Sequence, residues 1–156
     1  MKIDELIEAV KNGTLDKKPL IPDDINSFEI MNITDMTVLR ELAKHQEKFQ
    51  FLSETETWEK NENRQYKLGS MDRLNFFLKE IANGACRCLR YKQDNVSPES
   101  QADLGLIHIL EKIEGNYTFE VKYECQCTAC GIIYDCFSQK ARFGISYSWI
   151  KKTRAC

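Results

Sequence analysis

The chain has 156 residues, 42% of them apolar, a formal net charge of −2 and seven cysteines. That length and apolar share suit a single domain over residues 1–156 with a sizeable core; the mild acidity excludes a surface that is basic throughout, and no apolar run approaches the ~20 residues that a bilayer crossing needs. Met1-Lys2-Ile3-Asp4-Glu5 carries acids where a secretion signal carries cations and then an apolar stretch. The expected compartment is therefore the cytoplasm, where thiols stay reduced and an odd cysteine count speaks for core thiols or metal ligands rather than a disulfide framework.

Ile3, Leu6, Ile7 and Val10 fall at i, i+3, i+4 and i+7, which predicts a helix stopped by Asn12-Gly13. Pro19 and Pro22 then enforce an extended connector. A second helix is expected from Thr34 as N-cap through Val38, Leu39, Leu42, Gln46 and Phe49. Polar residues dominate 53–68, with Trp58 and Tyr66 isolated among them, and this predicts a hairpin or ordered loop. Ser70 is the expected cap of a third helix bearing Leu74, Phe77, Leu78 and Ile81, with Asn83-Gly84 as its stop; Phe76 lies off that stripe, to widen it or to protrude.

After Gly84 the period changes. Cys86-Arg87-Cys88-Leu89-Arg90-Tyr91 alternates in twos and predicts a strand. Ser97-Pro98-Glu99 has the makings of a helix start, whereas the apolar run Leu106–Ile113 fits a buried strand, so 98–114 is open between helix and strand, with strand preferred for the run. Gly115-Asn116 predicts a two-residue hairpin leading into an alternating strand from Tyr117 to Glu124. Two further strands are expected at Ile132–Tyr134 and Phe143–Ile150, about a polar turn at Ser138-Gln139-Lys140, and Lys151 to Arg154 as a solvated basic tail. The fold class is α+β: N-terminal helices, mainly 1–84, packed on a C-terminal meandering antiparallel sheet, mainly 85–150.

Chemistry concentrates at Cys125-Gln126-Cys127-Thr128-Ala129-Cys130-Gly131. Cys127-x-x-Cys130-Gly131 is what a metal knuckle needs, a thiolate leaving a strand, a turn, and a glycine free to take a backbone conformation other residues resist. Cys136 stands about five residues up the returning strand, roughly 17 Å away at ~3.3 Å per residue, which removes it from the ligand list. The preferred set for one structural zinc is Cys86, Cys88, Cys127 and Cys130, with Cys125 as substitute; the competing reading is reduced thiols packed in a core. Four thiolates leave no open position for a substrate water, His45 sits among Lys and Glu on a helix, and His108 lies in an apolar strand as a core imidazole or a group at a sheet edge. No catalytic residue is assigned, and the protein is read as not an enzyme.

In size, acidic character, Lys/Glu/Asn/Ile-rich composition and helix-then-sheet layout, the chain resembles small bacterial immunity proteins of contact-dependent and other polymorphic toxin systems. That resemblance implies a protein partner, such as a basic nuclease toxin domain that the acidic surface would steer into place. Locally, Cys127-x-x-Cys130-Gly131 resembles half of a zinc ribbon. Two alternatives follow. A nucleic-acid module, the less favoured partner class, requires Arg87, Arg90, Lys122, Lys140, Arg142, Lys151, Lys152 and Arg154 to gather on one face. A thiol-dependent enzyme requires one low-pKa cysteine. Aromatic residues Tyr117, Phe119, Tyr123, Tyr134, Phe143, Tyr147 and Trp149 are expected mostly in the core, any outward-facing one being an interface anchor.

Overall fold

A computed structural model describes residues 2–17, 26–49 and 62–152. The fold is α+β, with helices in the N-terminal part and a four-stranded antiparallel sheet in the C-terminal part. Contacts divide the chain into two compact units, Met1–Arg87 and Cys88–Cys156. Among the described residues no helix is long and apolar enough to cross a membrane. The proline connector and Trp58 lie outside the described residues.

The first unit is helical. Helix α1 (Ile3–Lys11) buries Leu6 and Ala9, and ends where Gly13 at φ +66° lets the Thr14 N–H reach back to the Ala9 carbonyl. Helix α2 (Ser27–Met31) went unread in the sequence; Asn26 starts it by accepting from the Phe28 and Glu29 N–H groups at 3.1 and 3.3 Å. Helix α3 (Met36–Ala43) is capped by Asp35, which accepts from the Thr37 N–H at 2.9 Å, so the expected Thr34 cap is corrected by one residue. A turn at Lys44-His45 interrupts the expected helix, and 46–49, carrying Gln46 and Phe49, is helical again.

Helix α4 (Glu62–Ala82) overturns two expectations: 62–68 is helical instead of a hairpin or loop, and Ser70 lies inside the helix rather than at its start. The polar stretch lacks an apolar stripe to announce a helix, but it carries no proline to forbid one. Met71, Leu74, Phe77, Leu78 and Ile81 form its buried stripe, whereas Phe76 points outward. Helix α4 packs against α2 and α3, and α1 against α3, around Leu39 and Leu42, which are wholly buried.

Arg87–Lys92 is a 3-10 turn, not the strand that its alternation suggested. Burial repeats in threes, Arg87 with Arg90 and Cys88 with Tyr91, as the three residues per turn of a 3-10 helix require. Within the second unit, helix α5 (Pro98–Asp103) opens on Ser97 and is followed by strand β1 (Ile107–Glu114), so the open segment 98–114 contains both elements. Strands β2 (Val121–Cys127), β3 (Ile133–Ala141) and β4 (Gly144–Lys151) complete a meander in the order β1-β2-β3-β4. A bulge at Leu110 separates the pairs Ile109–Cys125 and Glu111–Glu124.

Two turns differ from expectation. The β1–β2 connection spans 115–120, because Asn116 Oδ1 accepts from the Thr118 N–H and hydroxyl and draws the chain outward, so the strand begins at Val121 and not at Tyr117. Gly115 is required there, since a Cβ would collide with the Phe119 carbonyl. Ser138-Gln139-Lys140 belongs to β3, and the hairpin turns at Arg142-Phe143 between the paired Ala141 and Gly144.

Candidate metal centre

Strand alternation puts Tyr123, Cys125 and Cys127 on one face of β2, and Tyr134, Cys136 and Ser138 on the same face of β3. All six are buried. Trp149 joins them opposite Cys136. Tyr91, delivered by the 3-10 turn, stacks on Trp149 at 4.3 Å and meets Tyr134 edge-on at 5.8 Å. This aromatic wall is pinned by hydrogen bonds: Tyr91 Oη donates to Gln101 at 2.9 Å and Trp149 Nε1 to the Val96 carbonyl at 3.0 Å. The buried pair Arg90–Asp94, at 2.8 Å, holds the turn from its far end.

At the end of β2 the knuckle closes. The Gly131 N–H donates to the Cys127 carbonyl, and the Cys127 N–H to that of Ile132, each at 2.9 Å. Gly131 takes φ +78°, the conformation for which its position after Cys130 marked it. Thr128 secures the turn to the start of β1 through its hydroxyl, which lies 2.9 Å from the Gly105 carbonyl and 3.0 Å from that of Leu106.

Cys86 precedes the 3-10 turn and Cys88 lies in its first residues. Their sulfurs and those of Cys127 and Cys130 all lie within 4.8 Å of one another. Cys88 and Cys130 Sγ are 3.6 Å apart. For zinc at ~2.3 Å from each sulfur, the edge of the tetrahedron is about 3.8 Å. Four free thiols within 4.8 Å of one another, one pair at 3.6 Å, could hold such an ion, and that pair is too far apart for a disulfide. Cys88 and Cys127 are buried, Cys86 half-buried and Cys130 exposed.

Tyr134 Oη donates to Cys88 Sγ at 3.2 Å. Burial, then that hydrogen bond, pushes the Tyr134 hydroxyl well above its ordinary value and keeps it a donor. Cys125 and Cys136 stand apart from the four, wholly buried one and two strands into the sheet; burial pushes both thiols up to about 12. They behave as small apolar residues.

Neither histidine joins the cluster. His45 lies in the turn after α3, with Nδ1 3.3 Å from Asp16 Oδ1, and Lys48 is 3.1 Å from the same oxygen. His108 is exposed on β1, an edge strand. Of the aromatic residues, Tyr123, Tyr134 and Trp149 are core, whereas Tyr117 and Phe143 are fully exposed at loop tips. Sequence reasoning missed the roles of Tyr91 and Tyr134; the signal for Tyr134 was its two-residue step from Cys136 on the inward face.

Of the eight basic residues, five have partners within the protein, whereas Arg142 and Lys151 are exposed. Arg87 is buried and donates to the Thr34 carbonyl at 2.7 Å, and Arg90 is buried against Asp94. Lys122 pairs with Asp135, Lys140 with Glu120, and Lys152 with Glu124 and Asp135, which corrects the picture of Lys152 as part of a solvated tail. Arg154 lies outside the described residues.

Compared with family models, curated proteins and solved structures, the chain matches none.

Proposed function

We propose that the chain is a non-catalytic protein-binding module that carries one structural zinc ion held by Cys86, Cys88, Cys127 and Cys130. The observation that carries this reading is the convergence of four sulfurs within 4.8 Å from two segments some forty residues apart in sequence. Four thiolates saturate zinc, so the ion would hold the knuckle to the 3-10 turn rather than activate water. The partner we assign is a protein, in the manner of an immunity protein against a basic toxin domain. The acidic balance of the chain and the fully exposed Tyr117 and Phe143 support that choice, since aromatic side chains are the usual anchors of protein interfaces. The engagement of Arg87, Arg90, Lys122, Lys140 and Lys152 within the protein speaks against the nucleic-acid alternative.

Native mass spectrometry of untagged protein purified without chelators tests the metal: one retained zinc is expected, and a metal-free mass with a well-folded spectrum overturns it. Binding of a basic nuclease toxin domain, expected to be weakened by Tyr117→Ala with Phe143→Ala, tests the partner; no binding to any such domain overturns that assignment.

A further inference from the structure

The four sulfurs are unequal in a way that a purely structural zinc site does not need. Cys130 is exposed, Cys86 half-buried, Cys127 and Cys88 are buried, and Cys88 accepts a hydrogen bond from Tyr134 Oη at 3.2 Å. A hydrogen bond to a thiolate withdraws electron density and lowers its nucleophilicity, so a small electrophile arriving from solvent meets Cys130 first. A resolving thiol then stands ready, because Cys88 Sγ is 3.6 Å from Cys130 Sγ and need close only to the ~2.05 Å of a disulfide.

We propose that Cys130 and Cys88 form a peroxide-sensitive pair that opens the metal site. This rests on the zinc reading above and assigns the regulation of that same site. The Cys130 thiolate attacks one oxygen of hydrogen peroxide; the O–O bond breaks, Cys130 becomes a sulfenic acid, and the departing hydroxide takes a proton to become water. The Cys88 thiolate then attacks the Cys130 sulfur; the S–O bond breaks, a second proton completes a second water, and the S–S bond forms. Two thiolates have given up two electrons, peroxide has accepted them, and Cys86 and Cys127 are left as two ligands where zinc requires four. The ion departs. Cys125 and Cys136, wholly buried, are spared, so among the described cysteines oxidation is confined to the site.

The test uses the full-length protein carrying zinc, treated with hydrogen peroxide at neutral pH, with released zinc read by a chromophoric chelator and thiol pairing by peptide mapping. One equivalent of zinc is expected to appear together with a Cys88–Cys130 disulfide, and reductant plus zinc should restore the starting state. Cys136→Ser should release zinc like the unaltered protein. Retention of zinc while Cys130 is oxidised overturns the inference, as does a disulfide that joins another pair. Failure to carry zinc before peroxide is added is a separate result: it sinks the metal reading, and the inference with it.

Discussion

The two units bury different chemistry. In the helical unit the core is mainly aliphatic: Leu39, Leu42, Leu74, Phe77 and Leu78 are at most 1% exposed, Met31 and Met71 pack as apolar thioethers, and helix propensity and apolar burial act together. In the sheet unit the inward face is sulfur and aromatic ring, with Cys125, Cys127, Cys136, Tyr134, Tyr91 and Trp149 where leucines and isoleucines would otherwise pack. A thiol buries little apolar area, so this unit gains less from the hydrophobic effect per residue and has more to gain from a metal ion and from hydrogen-bonded aromatic side chains.

On the zinc reading proposed above, metal removal should break this contrast most sharply. Structural zinc sites supply on the order of 10 kcal/mol at neutral pH. A strong chelator, or Cys127→Ser, is therefore expected to abolish amide protection in β2 and β3, while α3 and α4 retain theirs in hydrogen-exchange experiments. Equal loss in both units would show that the helices too depend on the ion.

Phe77→Ala inverts the experiment. Truncating this 1%-exposed ring should cost about 3–5 kcal/mol in denaturant unfolding, without changing zinc stoichiometry. Tyr134→Phe, which removes only the hydroxyl that donates to Cys88, should weaken zinc binding about 10- to 100-fold in competition titrations. An unchanged affinity would reduce that bond to a packing accident.

Alkali is the mildest probe. With the folded Cys136 thiol at about 12 and an unfolded value near 9, the folded state holds its proton more tightly, so this group's stabilisation is complete below pH 9 and is lost as pH rises towards 12. The urea midpoint should fall across that window in the unaltered protein and fall less in Cys136→Ala.

Much of the first unit was legible because helices announce themselves locally. The stripe Leu74, Phe77, Leu78, Ile81 and the stop at Asn83-Gly84 needed no knowledge of distant residues. Its errors lay at boundaries, as at Thr34 and Ser70, where a cap-forming residue is not by itself a cap, and in two stretches with no apolar stripe long enough to read, the five-residue α2 and the polar turns at 62–68. At the boundary of the units, 87–92 alternates like a strand but pairs with no strand among the described residues; pairing decides strand from turn, and pairing is not local.

Sequence alone determined the α+β order of elements, the conformational role of Gly131 and the identity of the four cysteines worth watching, because residue type and spacing carry that information. Only the tertiary structure decided that the 3-10 turn carrying Cys88 and the β2–β3 knuckle bring those sulfurs within 4.8 Å, that Cys136 faces inward beside Trp149, and that Tyr134 reaches Cys88. These are distances between segments tens of residues apart, and they are set by sheet register and by the packing of aromatic rings rather than by any neighbour in the chain.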